Sequence, residues 1–104
     1  MPRNRLKLHA NLTDLSKGQS LTWQYVLVKG GKIKVNVYTL SGVFVKKILD
    51  TEFTLPVSEL APFESPDQIW DGTNVKGRKV ASGVYLLVFE LNGEKSIEKI
   101  AVIR

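Results

Sequence analysis

The chain has 104 residues, 43% of them hydrophobic, and 15 Lys and Arg against 10 Asp and Glu leave it at +5 at neutral pH. That is one domain's worth of sequence, enough for a single core and not for separate cofactor and substrate domains. There is no cysteine, and His9 is the one histidine, which excludes a disulfide scaffold, a Cys-based zinc site, thiol catalysis and a multi-histidine metal centre.

The hydrophobic period along the chain is two. Met1 to Arg5 carries no apolar block of the signal-peptide type, so an export signal is expected to lie outside this chain. From Arg5 the residues alternate, with Leu6, Leu8 and Ala10 on one face and Arg5, Lys7 and His9 on the other. Ser20 to Val28 sets Leu21, Trp23, Tyr25 and Leu27 against Thr22 and Gln24, and Lys32 to Leu40 sets Ile33, Val35 and Val37 against Lys32, Lys34 and Asn36. Both runs predict strands with one buried face. Lys29-Gly30-Gly31 between them reads as a hairpin turn, because paired glycines accept positive φ. Ser41-Gly42 marks the next turn and Val43 to Leu49 a shorter strand.

Asp50 to Gln68 holds Pro56, Pro62 and Pro66, each removing a backbone donor, and shows no helical period. Regularity returns with Val84 to Leu91, almost continuously apolar as a central strand would be. Asn92-Gly93 is a strong hairpin signal. Glu94 to Arg104 returns with Ile97, Ile100, Val102 and Ile103. The expectation is an all-β chain: an immunoglobulin or fibronectin-III-like β-sandwich of about seven antiparallel strands, without a disulfide. No stretch approaches the roughly 20 apolar residues that span a bilayer, so membrane insertion is not expected.

One segment is more specific. It runs Ile69-Trp70-Asp71-Gly72-Thr73-Asn74, then Gly77 to Tyr85 with Gly83-Val84-Tyr85 opening the long strand, and closes on Lys99-Ile100-Ala101-Val102-Ile103-Arg104. Together with Val37 to Val45, it resembles the immunoglobulin-like domain of the flagellar hook-capping protein. It also resembles relatives at the C-termini of exported bacterial proteins. The resemblance covers about Ser20 to Arg104 and implies an Ig-like sandwich acting as an accessory or sorting module. The chain departs from the C-terminal relatives at Asn11 to Leu15, where they carry an Asn-Pro-x-x-Pro stretch, and in its longer link from Asp50 to Gln68.

The motif also has a reading from the residues alone. Trp70 supplies a large buried area, Asp71 accepts backbone N–H groups at a turn, and Gly72 takes positive φ. Gly83 is expected to let the chain pass tightly into the next strand. Tyr85 is expected to bury its ring while its hydroxyl ties down a neighbouring loop.

Residues suited to chemistry are sparse. His9 sits in a basic alternating run without a nucleophile motif. Asp67, Asp71 and Asn74 fit no Ca²⁺ loop spacing. Glu52, Glu59, Glu64 and Asp67 lie in a Pro-rich stretch that sets no separation between carboxylates. No catalytic, cofactor-binding or metal-binding residue is therefore assigned, and no enzyme activity is expected. Arg3, Arg5 and Lys7, the pair Lys32 and Lys34, Lys46-Lys47 and Arg78-Lys79 would attract phosphates if they converged. Without a recognition helix or a row of exposed aromatics they read as solubilising charges on outer faces and edges. Asn11-Leu12-Thr13 matches a glycosylation sequon, a frequent triplet.

The expected function is that of a non-catalytic Ig-like module for docking, spacing or attachment. It would sit at the C-terminus of an exported bacterial protein, with Arg104 closing the last strand, and act in the envelope or outside the cell. Its expected partners are other domains of its parent chain or an envelope or extracellular protein, with no specific nucleic acid among them. The alternatives are a C-terminal sorting domain read by type IX-like secretion machinery, or a carbohydrate-binding module, which needs exposed aromatics in a planar row, whereas Trp23 and Trp70 fall where core residues are expected.

Overall fold

A computed structural model describes residues 4–104; Arg3, named above among the basic residues with Arg5 and Lys7, lies outside them. Nine strands form among the described residues: β1 (Arg5–Leu8), β2 (Leu12–Asp14), β3 (Leu21–Leu27), β4 (Gly31–Thr39), β5 (Phe44–Phe53), β6 (Phe63–Glu64), β7 (Gln68–Trp70), β8 (Gly83–Leu91) and β9 (Glu94–Ile103). They make two sheets. In one, β3 pairs with β1 on one side and with β6 and then β7 on the other; the second is five-stranded, in the order β2-β9-β8-β4-β5. All pairings are antiparallel except β2 with β9, which is parallel.

The period-two pattern explains the packing. Leu21, Trp23, Tyr25 and Leu27 of β3 face Ile33, Val35 and Val37 of β4, Leu87, Phe89 and Leu91 of β8 and Ile100 and Val102 of β9, all of them buried. Two inner faces of alternating apolar residues thus close one core, the sandwich arrangement. The Pro-rich link comes back onto β3 in two short pieces, because Pro66 cannot donate. Ser65 is the hinge between them: its amide donates to the Tyr25 carbonyl at 2.9 Å, and its buried hydroxyl accepts from the Tyr25 amide at 2.9 Å.

The main correction concerns Lys29-Gly30-Gly31. It is not a hairpin: β3 and β4 lie in different sheets, and these glycines carry the chain across the sandwich. Gly31 has φ +140, and a Cβ there would fall within 2.7 Å of the Asn92 side-chain amide. That amide accepts from Lys32 N–H at 3.0 Å and donates to the Gly30 carbonyl at 3.3 Å. Close approach, rather than a tight reversal, is what excludes a side chain here. The turns at Ser41-Gly42 and Asn92-Gly93 are hairpins, with Gly42 at φ +94 and Asn92 and Gly93 at φ +50 and +90.

Smaller differences follow from local geometry. Ala10 is exposed because the chain leaves the sheet after Leu8 and crosses to pair with β9, and a single 3-10 turn follows at Leu15–Lys17. β5 runs to Phe53, longer than the expected Val43 to Leu49, with two register shifts against β4. β8 alternates in burial instead of being buried on both faces, because no layer covers the outer side of its sheet. Ile97 and Ile103 face that outer side and are exposed.

Candidate functional site

The Trp-Asp-Gly segment builds a corner at one end of the sandwich. Trp70 is 2% exposed, and its indole N–H donates to the Thr73 carbonyl at 2.9 Å. One carboxylate oxygen of Asp71 accepts from the Thr73 amide at 3.1 Å and from the Thr73 hydroxyl at 2.6 Å. Lys46 Nζ donates to the Thr73 hydroxyl oxygen at 2.8 Å, and Lys79 Nζ to the Asp71 carbonyl at 3.2 Å. The Thr73 hydroxyl chiefly holds the Asp71 carboxyl below its ordinary 3.8; burial opposes it as the next largest effect, and the Thr73 amide, Lys46 and Lys79 each lower it by less. Gly72 has φ +79, and a Cβ there would overlap Leu15.

Tyr85 completes the corner. Its ring meets Trp70 edge-on, with centroids 6.0 Å apart at 64°, and its hydroxyl donates to the Ala81 carbonyl at 2.7 Å. This is the geometry of a tyrosine corner at the start of a sandwich strand. Burial pushes the Tyr85 hydroxyl above its ordinary 10.0. Gly83 does not have the role expected of it: an added Cβ would meet only the Tyr85 ring, at 3.9 Å.

The remaining polar candidates are dispersed. His9 Nε2 lies 3.0 Å from Asp67 Oδ1 on the surface, joining the end of β1 to the stretch before β7. Asn74 accepts from the amides of Lys76 and Arg78. Glu64 lies 4.0 Å from Lys7 and Lys47 3.7 Å from Asp50. Lys32 and Lys34 stand opposite Glu52 and Asp50 of β5, so acids alternate with them across the sheet. Among the described residues, no three His, Asp or Glu side chains are placed to hold a metal ion. No helix among them is long and apolar enough to cross a membrane. In the sequon, Thr13 is buried while Asn11 is exposed.

Two concavities lie beside these residues. A cleft of about 670 Å³ opens between the sheets, with Phe89, Leu91 and Val28 inside and Lys29, Glu59, Glu94, Lys95 and Ser96 around it. A shallower hollow of about 410 Å³ lies at the corner, beside the exposed Phe44 and Val75. The sequence held one signal for the cleft. On the inner face of β9 the even positions are polar at Glu94, Ser96 and Glu98 and apolar at Ile100 and Val102. That change marks where the facing sheet stops covering the strand.

The topology and the corner place the chain among immunoglobulin-like β-sandwiches. No protein-family model matches the sequence, and no curated protein does. Among solved structures, the fold is shared by PorZ of Porphyromonas gingivalis, described as an essential bacterial surface component of the type-IX secretion system. The similarity has a TM-score of 0.55 with 20% identity over 95% of this chain, which spans 11% of the PorZ chain. At this identity the likeness speaks for the fold.

Proposed function

We propose that the chain is a non-catalytic Ig-like docking module of an exported or cell-envelope bacterial protein, related to the immunoglobulin-like domains of the hook-capping type. The observation that carries this reading is the use made of the Trp70 corner. Trp70, Asp71, Thr73, Lys46, Lys79 and Tyr85 spend their polar groups on one another or on backbone. The sequence's most specific motif therefore supports the scaffold, and the uncommitted surface is sheet edge and cleft. The partner is a protein of the envelope or exterior, or another domain of the parent chain.

A second reading is a domain that secretion machinery reads to export the protein carrying it. The fold shared with a type-IX secretion component favours it. One experiment separates the two: the gene product carrying this chain is expressed with and without residues 1–104, and both forms are located by cell fractionation. A docking module predicts export of the shortened form without attachment. A sorting domain predicts retention inside the cell. Normal export and attachment of the shortened form rejects both.

A further inference from the structure

We infer that the free edge of β9 between Lys95 and Lys99 is a strand-addition site. Its occupant is an extended segment of the partner with acidic, apolar and acidic residues at alternate positions. The inference rests on the docking reading and names the surface that does the docking.

The backbone geometry fixes which groups are free. The Ala101 amide donates to the Asn11 carbonyl at 2.8 Å, so Ala101 points its peptide groups at the edge that β2 occupies. Along a strand, a residue's N–H and C=O point to one edge and the direction alternates. Lys99, Ile97 and Lys95 therefore aim at the same edge. The hairpin gives the same answer: Asn92-Gly93 is a two-residue turn of the primed kind, so Leu91 and Glu94 close it as a hydrogen-bonded pair. Ser96 and Glu98 follow as residues bonded to β8. β2 reaches only Ala101 to Ile103, leaving the odd-numbered groups above it without a strand partner among the described residues.

This edge is unlike the others. β5 is broken twice in register, as protective bulges are, and β1 is four residues long. β9 keeps an unshifted register with β8 over nine pairs and contains no proline. The 670 Å³ cleft opens directly beneath it. A strand added here would turn alternate side chains toward the cleft, beside Glu94 and Ser96 of β9, and the rest toward the outer face, beside the exposed Ile97. Main-chain bonds would give affinity and the alternate side chains selectivity.

Charge selects the occupant. A second copy pairing antiparallel about Ile97 would set Lys95 against Lys99 twice, and like charges directly opposite are destabilising. Glu90 of β8 stands opposite Lys95, but no carboxylate lies within 4.0 Å of either lysine among the described residues. Acids opposite Lys95 and Lys99 with an apolar residue opposite Ile97 satisfy all three positions in an antiparallel pairing.

The test uses the ¹⁵N-labelled full chain and a synthetic peptide with glutamate, valine and glutamate at alternate positions and valines between them. In the free chain the amides of Lys95, Ile97 and Lys99 should exchange fast and those of Ser96 and Glu98 slowly. The peptide should slow the first three by at least about tenfold. A copy N-methylated at its glutamates and central valine should not. Ile97→Pro should keep the fold, since proline is tolerated where an edge N–H faces solvent, and should abolish the protection. Lys95→Glu with Lys99→Glu should abolish it with every backbone donor kept. Protection that survives N-methylation or charge reversal, or that appears elsewhere, overturns the proposal; so does no protection at all. A dimer of the free chain that Ile97→Pro dissolves overturns the choice of occupant. If the Ile97→Pro protein still attaches normally in fractionated cells, the edge is rejected while docking stands. If the form lacking residues 1–104 attaches normally, the docking reading itself fails.

Discussion

The indole N–H of Trp70 is bonded to the Thr73 carbonyl at 2.9 Å, while that of Trp23, equally deep in the core, has no acceptor among the described residues. Two buried tryptophans therefore differ in one hydrogen bond. Replacing either by Phe leaves a similar void, but only Trp70→Phe leaves a carbonyl unpartnered. Trp70→Phe should be the more destabilising by about 1–3 kcal/mol, the usual cost of stranding a buried polar group. Urea denaturation of the two variants checks this. Equal midpoints would mean that the Thr73 carbonyl finds water, and that the corner is wetter than its geometry suggests.

Gly31 and Gly83 give a second contrast. Gly31 combines φ +140 with the Asn92 amide closing over it, whereas a Cβ at Gly83 meets only the edge of Tyr85. Gly31→Ala should cost about 1–3 kcal/mol, as backbone strain of this kind does. Gly83→Ala should stay within about 0.5 kcal/mol of wild type, as substitutions away from such features do. Thermal unfolding of both reads the difference. A Gly83 variant as unstable as the Gly31 variant would restore the tight passage into β8 that the sequence suggested.

These glycines also show what was legible. Strands with one buried face were, since Leu21 to Leu27 and Ile33 to Val37 alternate cleanly. Which strands pair was not. In a sandwich, β3 and β4 read alike whether they lie side by side or face each other, and Gly30-Gly31 fits a hairpin or a crossing equally well. Pieces as short as Leu12–Asp14, Phe63–Glu64 and Gln68–Trp70 hold too few residues to show a period, so nine strands read as about seven. The corner was legible because Trp70, Asp71 and Tyr85 each have a narrow set of uses in a turn. The free edge of β9 was not, because edges are defined by the strand that is missing beside them.

The corner should also set the acid limit of stability. The folded-state pKa of Asp71 is depressed, chiefly by the Thr73 hydroxyl, and that of Asp14 is depressed, chiefly by Ser16. A depressed carboxylate stabilises the fold above its ordinary value near 3.8, and the benefit is lost as pH falls through the lower folded value. Wild-type stability should therefore decline from about pH 4 downward. Asp71→Asn should lower stability at pH 7 and flatten that decline, and Asp14→Asn combined with it should flatten it further. Chemical denaturation between pH 2 and pH 7 would expose an error here as a decline of unchanged steepness in the double variant.

Tyr85 permits a sharper test, because its ring and its hydroxyl have separate partners. The ring packs on Trp70 and the hydroxyl donates to the Ala81 carbonyl at 2.7 Å. Tyr85→Phe keeps the first and deletes the second, so it should cost about 1–2 kcal/mol, within the range for a hydrogen bond whose acceptor stays partly buried. Tyr85→Ala removes both and should cost about 3–5 kcal/mol, the penalty for emptying a large aromatic site. A domain of this size holds only about 5–15 kcal/mol in all, so that variant should be marginal at 37 °C. Because Trp70 and Tyr85 touch, Tyr85→Ala and Trp70→Phe together should depart from additivity by about 0.5 kcal/mol or more. Tyr85→Phe, which leaves the ring contact in place, should be additive with Trp70→Phe within about 0.5 kcal/mol. Calorimetry on the single and double variants decides it. If Tyr85→Phe couples to Trp70→Phe as strongly as Tyr85→Ala does, the two bonds to Thr73 and Ala81 hold one shared loop, and the corner acts as a single unit rather than as two anchors.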